Sequence, residues 1–364
     1  MTNDFNPAKK VRDEDQLDRQ KLHEYLSSHL SGFNSDSQLT LKQYAGGASN
    51  MTYLLQWQEN NTAVKNNQYE AILRTAPLGA NIKSAHDMGR EYKVLRLLQN
   101  HFKYSPKALL MCEDETIIGR PFYIMQKVEG IIPRKSFPMP VSAQLATKMC
   151  HELLDVHIAL HTIDIEKTGL ISLGQPHGYI QRQISGWNLR YEKAKLEDSL
   201  PAQELMQWLD EQQPKDTLSS FIHNDYKFDN VVFSAQNPEK ICAVLDWEMA
   251  TVGSPLMDLG CSMAYWIEKT DPPAMQAIRM MPTQLDGMLT RQQIVRYYAE
   301  KRHIDISEFN YFYVFGLFRL AVIVQQIYKR YALGKTSNLA FKNFGDIAKV
   351  LIVQAEHQRK KGII

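Results

Sequence analysis

The chain has 364 residues, 44% of them hydrophobic and 23% charged, with a formal net charge of +2. That length suits two or three folding units or one bilobal enzyme with a large core. A charge this close to zero is too near neutral to suggest a nucleic-acid binder.

In chain order, the first sixteen residues, MTNDFNPAKKVRDEDQ, hold no apolar core for a signal peptide. Residues 13–31 read as an amphipathic helix, with Leu17, Leu22, Leu26 and Leu30 on one face and acids at the start. LTLKQYAGGASNMTYLLQW reads as a β-hairpin with a wide tip bearing Gly46 and Gly47, and Tyr69–Thr75 as a third strand ended by Pro77 and Gly79. Ser84 is the expected cap of a helix running through Glu91 to Leu98, and strands are expected at Ala108–Glu113 and Pro121–Val128. After Gly130 the pattern becomes helical: residues 142–162, a stretch with Trp187, Tyr191 and Trp208, and nearly everything from 256 to 360. Between them, Phe221–Phe233 and Ile241–Trp247 read as short strands and loops, with Asn237-Pro238 turning a hairpin. Tyr311 to Tyr328 is the most apolar late stretch, but Arg319 and two glutamines make it read as too polar, and its length as too short, for a bilayer. Arg359-Lys360-Lys361 reads as a solvated helix end. Cys112, Cys150, Cys242 and Cys261 form no Cys-x-x-Cys pair and are expected as buried thiols in a reducing compartment. The expectation is a cytoplasmic protein without nucleic-acid or membrane partners.

The chemistry is concentrated in Phe221-Ile222-His223-Asn224-Asp225-Tyr226-Lys227-Phe228-Asp229-Asn230, polar residues between two apolar runs. Phosphoryl transfer needs a carboxylate to orient the attacking hydroxyl and take its proton, and oxygen ligands for Mg²⁺ close by. Asp225 suits the first task and the side-chain oxygen of Asn230 the second. Asp246, sixteen positions on in AVLDWEMA, ends an apolar strand where an unpartnered carboxylate is costly, and a bound Mg²⁺ would be a partner. Either aspartate alone could simply cap a turn; the ordered set with Asn230 points to the chemistry.

This pattern, His-x-Asp-x₄-Asn and then a hydrophobic strand ending in Asp, resembles the aminoglycoside phosphotransferase and choline kinase superfamily, relatives of protein kinases. Asn224 stands where protein kinases have Arg, and Trp247-Glu248 where they have Phe-Gly, so the chain looks like the small-molecule branch. GGASNMTYLL, LRTAP, SAHDMGREYKVL, QRQISGWNLRYE and FGLFRLAVIVQQIYKRY are further similar to the kinase-like domain fused to some acyl-CoA dehydrogenases and to its free-standing bacterial relatives. The resemblance implies an α+β, bilobal protein-kinase-like fold: a small antiparallel β-sheet lobe over 1–127 and a larger, mainly helical lobe over 128–364 with the catalytic loop and substrate pocket. It implies ATP and Mg²⁺ as cofactors and a small-molecule hydroxyl acceptor.

It also assigns roles. Gly46, Gly47, Ala48, Ser49 and Asn50 would lie over the phosphates. Arg74, in place of a lysine, would grip the α- and β-phosphates and pair with Glu91, although the two could form a mere surface ion pair. Met125, Gln126 and Val128 would lie in the hinge that contacts adenine. Asp258 would brace the catalytic loop, or only cap its helix, and His223 would support the loop likewise. Among the basic residues Arg182, Arg190, Arg319, Lys329 and Arg330, Arg319 interrupts an apolar run and is the candidate for an anionic acceptor such as a hydroxyacyl-CoA. The alternatives are an aminoglycoside or choline-type kinase and a nucleotide-binding pseudokinase scaffold. His157 and His161, four apart, lack the glutamate of a His-Glu-x-x-His zinc site, and no Gly-x₄-Gly-Lys-Ser/Thr loop occurs.

Overall fold

Apolar residues at helical spacing behind an aspartate begin the fold. The computed structural model, which describes residues 7–44, 50–58, 68–77, 87–336 and 338–362, places α1 at Arg19–His29, capped by the Asp18 side chain on Lys21 N, with Leu22 and Leu26 buried. The acids at 13–15 form a separate 3-10 turn. Then come β1 (Thr40–Gln43), β2 (Met51–Gln58), β3 (Gln68–Thr75), α2 (Met88–Leu98), β4 (Ala108–Cys112), α3 (Glu115–Ile118) and β5 (Phe122–Gln126). The strands form one antiparallel sheet in the order β1-β2-β3-β5-β4, with Thr52 opposite Arg74 and Arg74 opposite Tyr123. Val11, Leu17 and the apolar face of α1 cover Tyr53, Leu55, Trp57, Leu73 and Phe122 of that sheet. Burying such large side chains contributes about 1.5–3 kcal/mol each.

The rest of the chain is mainly helical: α4 (Ala143–His161), α5 (Tyr179–Ala194), α6 (Gln203–Glu211), then β6 (Ser220–Ile222), β7 (Val231–Phe233), β8 (Ile241–Val244) and β9 (Thr251–Gly253). The helices α7 (Pro255–Ala264), α8 (Pro273–Ala277), α9 (Arg291–Arg302), α10 (Phe309–Ala332) and α11 (Phe344–Lys361) follow. β6 pairs with β9, and β7 with β8 through a hairpin that contains Asn237-Pro238. α7 and α10 approach closely because both carry glycine there: a Cβ on Gly316 would stand 2.2 Å from the Gly260 carbonyl oxygen.

Two compact units result. The first joins Met1–Ile132 to Val232–Asn237 and Ile241–Ala250; the second holds Pro133–Val231, Pro238–Lys240 and Thr251–Ile364. The expected division after residue 127 leaves the β7–β8 hairpin with the helical part. In the structure, Ile131 and Phe233 exchange two backbone hydrogen bonds, at 2.7 and 2.8 Å, and Val244 N donates to Tyr104 O at 2.8 Å. Those bonds draw the hairpin, and Asp246 behind it, into the first unit.

Three further expectations are corrected. Asp87, not Ser84, caps α2 by accepting from Arg90 N; Ser84 lies outside the described residues. Cys242 is exposed, since its neighbours Ile241 and Ala243 face inward and it points the other way. The apolar stretch around Arg319 is part of a 24-residue helix, α10, which is long and apolar enough to cross a membrane by length and composition, but 72% of its most apolar window is buried inside the protein. Its hydrophobicity serves the core of the helical unit.

Candidate active site

Arg74 lies on β3, a central strand, and Glu91 lies in the first turn of α2. Arg74 is 7% exposed and Glu91 1%, so their contact, Nη1 to Oε1 at 2.6 Å, is an interior ion pair rather than a surface one. Arg74 Nη2 also reaches Asp246 Oδ1 at 3.0 Å and Glu248 Oε2 at 3.8 Å. One cation thus faces three carboxylates, a formal charge of −2 for the cluster. Burial by itself would pull the Arg74 guanidinium down, but Glu91, Tyr123 and Asp246 hold it well above the usual arginine value. Burial raises the Glu91 carboxyl, with Arg74 opposing it. Asp246 has φ +67, a left-handed conformation that costs a non-glycine residue roughly 1–2 kcal/mol. A 3-10 turn, Trp247–Met249, follows directly. Glu248 was missed by sequence reasoning; its signal was its place two residues after Asp246, inside the Asp-Trp-Glu triplet.

In the second unit, the loop after β6 carries His223, Asn224 and Asp225. Asn224 adopts φ +65, and asparagine is among the residues that tolerate this conformation. Asp258, on α7 and fully buried, accepts from His223 N at 2.9 Å and Asn224 N at 2.7 Å. The helix cap is Ser254, on Met257 N, so capping is not the role of Asp258. His157 and His161 of α4 also place their Nε2 atoms 3.1 and 3.0 Å from Asp258 Oδ2, and His161 Nδ1 meets Tyr298 OH at 2.6 Å. Burial tends to raise the Asp258 carboxyl, but the bonds from the two histidines carry it well below the usual value. Burial, then His157, lowers His161 to about 3, leaving it neutral. These three residues are the one cluster of metal-ligand types among the described residues, and their facing atoms already bond one another. Sequence reasoning considered the two histidines for zinc but missed their bond to Asp258, which lies 97 positions from His161.

Asn230 donates both to Asp225 O at 2.8 Å and to Asp225 Oδ2 at 2.9 Å, which leaves its Oδ1 as the amide's remaining acceptor. Lys227 forms an ion pair with Asp225, stands 3.9 Å from Asp229, and lies 4.7 Å from the Tyr265 ring centroid. Burial would lower Lys227, but Tyr265, Asp225 and Asp229 hold it above the usual lysine value. Lys227 is a second residue that sequence reasoning passed over.

Of the five basic residues singled out, only Arg319 is buried, at 4% exposure. Its guanidinium lies 5.2 Å from the Trp187 ring centroid, and burial, the largest influence, is outweighed by Cys261, Tyr265, Asp225 and Tyr179, which raise its value. Arg182 bonds the backbone of Gln175 and His177, Arg190 stacks on Trp187 at 4.7 Å, and Lys329 donates to Lys193 O at 2.7 Å. Met125 and Gln126 end β5, where Gln126 N donates to Lys107 O at 2.8 Å; Val128 follows and is half-buried. Of the residues expected over the phosphates, Asn50 is buried and donates to Glu248; Gly46, Gly47, Ala48 and Ser49 lie outside the described residues.

A five-stranded antiparallel sheet and a helical unit accompany a family match that makes the protein a kinase-like, small-molecule phosphotransferase. The chain belongs to the phosphotransferase enzyme family, which it matches over residues 40–288. Among curated proteins it is 32% identical over 341 residues to acyl-CoA dehydrogenase family member 11 of Homo sapiens, covering 92% of this chain and 42% of that protein. It is 31% identical over 331 residues to family member 10 of Mus musculus, covering 90% and 30%. The chain therefore spans about two-fifths or less of the length of these relatives. Among solved structures, a candidate aminoglycoside phosphotransferase from Ralstonia eutropha is 30% identical with a TM-score of 0.78, covering 95% of this chain and 99% of that one. Choline kinase from Cryptosporidium parvum, 13% identical, has a TM-score of 0.63 and covers 94% and 96%; that likeness shows the fold.

Proposed function

We propose that the protein transfers the γ-phosphoryl group of ATP, with Mg²⁺, to a hydroxyl of a small anionic metabolite, with a hydroxyacyl-CoA as the leading acceptor. The observation that carries the ATP–Mg²⁺ part is the Arg74 cluster. A buried cation that faces three carboxylates can pass to phosphate oxygens, and the excess of acid suits a divalent cation. Asp246 and Asn230 Oδ1 supply the oxygen chemistry that Mg²⁺ prefers. The cation would supply charge neutralisation for the phosphates.

In this reading Arg74 holds the α- and β-phosphates, and Glu91 keeps its guanidinium in place. Gly46, Gly47, Ala48, Ser49 and Asn50 cover the phosphates, and the backbone at Met125, Gln126 and Val128 receives adenine. Asp225 orients the acceptor hydroxyl and takes its proton as the oxygen attacks the γ-phosphorus. The bond from that phosphorus to the β-phosphate oxygen breaks and ADP leaves. Asp258, through His223 N and Asn224 N, fixes the loop that aims Asp225.

The anionic acceptor is supported by Arg319, which stays charged in the interior near Trp187, Tyr265 and Asp225. A site of this sign concentrates anions and repels polycations. The names of the relatives, acyl-CoA dehydrogenase family members, point to the same acceptor chemistry. The test is ATP consumption across a panel of hydroxyacyl-CoAs, choline, sugars and aminoglycosides. Turnover of a CoA ester is the expected result. Phosphorylation of kanamycin with no CoA ester bound or turned over overturns the acceptor. Intact Mg·ATP binding with no acceptor at all favours the pseudokinase scaffold.

A further inference from the structure

Asn50 stands immediately ahead of β2, the strand that pairs with the strand of Arg74, and it is 2% exposed. Its amide Nδ2 donates to Glu248 Oε2 at 2.7 Å, across 198 positions of chain. The same Glu248 oxygen stands 3.8 Å from Arg74 Nη2. Glu248 belongs to the 3-10 turn that follows Asp246, and the φ of +67 at Asp246 lets carboxylates two residues apart reach one guanidinium. A left-handed aspartate persists only where its surroundings hold it on several sides. Here Trp247 Nε1 donates to Val244 O at 2.9 Å, Arg90 Nη2 to Ala250 O at 3.0 Å, and Asn50 to Glu248. All of these residues belong to the first unit.

We propose that Glu248 is a positioning residue: with Asn50 it forms a latch that ties the start of β2 to the turn bearing Asp246. The inference rests on the reading of Arg74 as phosphate cation and Asp246 as metal ligand. In the structure those two residues hold one another at 3.0 Å. Phosphates would take over Arg74 and a divalent cation would take over Asp246, so their mutual bond is given up on binding. The Asn50–Glu248 bond uses neither group. It stays in place through the exchange and keeps the left-handed turn from relaxing. It is a hydrogen bond to a charged acceptor, the stronger kind, which corresponds to a roughly 10- to 100-fold effect on the equilibrium it supports.

The experiment compares wild type with Asn50→Ala, Glu248→Ala, the double variant and Glu248→Gln. Hydrogen exchange at residues 51–54 is measured without nucleotide, and the affinity for Mg·AMP-PNP by calorimetry. Exchange is expected to be about 10-fold faster or more in each alanine variant, and the double variant no worse than the worse single. Glu248→Gln keeps an oxygen for the Asn50 amide but loses its charge, and falls between wild type and Glu248→Ala. Affinity follows the same order. Effects that multiply in the double variant, or Glu248→Gln behaving as Glu248→Ala, overturn the latch. Faster exchange with unchanged affinity in Asn50→Ala overturns its positioning role. Wild-type protein that binds no Mg-nucleotide refutes the ATP reading, and the exchange data still decide the latch. Should Glu248→Ala not fold, Asn50→Ala and Glu248→Gln carry the comparison.

Discussion

Replacing Arg74 with alanine removes one guanidinium from three carboxylates at 2.6, 3.0 and 3.8 Å and leaves Glu91, 1% exposed, without its cation. Stranding one partner of a buried pair costs about 3–5 kcal/mol. At roughly 2–4 °C per kcal/mol for a folding unit of this size, the melting temperature falls by about 6–20 °C. The formal charge of the cluster changes from −2 to −3, because a single positive group is removed from three negative ones. A divalent cation without nucleotide should therefore stabilise Arg74→Ala more than wild type, whose arginine already engages the carboxylates. ATP affinity should fall roughly 10- to 100-fold, the value of a lost charge-assisted hydrogen bond, and Arg74→Lys should recover part of it. The assay is thermal unfolding with and without Mg²⁺ and ATP, followed by calorimetric titration. A loss below about 1 kcal/mol, together with unchanged ATP affinity, would show that the pair is only a surface contact and that the phosphate cation lies elsewhere.

Three further outcomes are expected. Asp246→Asn should lose the Mg²⁺-dependent part of the thermal shift with ATP, and a full shift in that variant would remove Asp246 from the metal site. Asp225→Ala should lose about 10²–10⁴-fold in rate, the usual share of general-base action, with a near-normal Mg·ATP thermal shift; loss of ATP binding would make it a metal ligand or a brace instead. His161 is lowered to about 3 by burial and by His157, against about 6.5 in the unfolded chain, so the unfolded chain binds more protons between those values. Its contribution is complete above pH about 6.5 and is lost as the pH falls toward 3, whereas Asp258, held low in the folded state, adds its loss only below about pH 4. His161→Asn should flatten the fall in melting temperature between pH about 6.5 and 4, and an unchanged slope would refute the assignment.

Much of the outline was legible because its signals are local. The alternation of LTLKQ and MTYLLQW produced the β1–β2 pairing, and the spacing of Leu22 and Leu26 produced α1. Asp225 and Asn230 bond directly, as residues in one tight loop can. The cap of α2 was misplaced because serine and aspartate both suit the position, and spacing alone did not decide between Ser84 and Asp87. The apolar stretch was read as too short and too polar for a bilayer because only Tyr311–Tyr328 was weighed, while the helix runs Phe309–Ala332 and Trp187 of α5 covers the Arg319 guanidinium. A helix can continue through a charge when another element receives it.

By itself, then, the sequence determined the order of strands and helices and which polar residues gather in the loop after β6, since periodicity and motif spacing are properties of neighbours in the chain. The tertiary structure decided which charges meet. Arg74 finds Asp246 across 172 positions and Asn50 finds Glu248 across 198, because antiparallel pairing and the capture of the β7–β8 hairpin by Ile131 bring distant segments into one unit. It also made His157 and His161 the partners of Asp258. A buried carboxylate must be satisfied by whatever donors the packing delivers, and spacing along the chain carries no record of which donors those are.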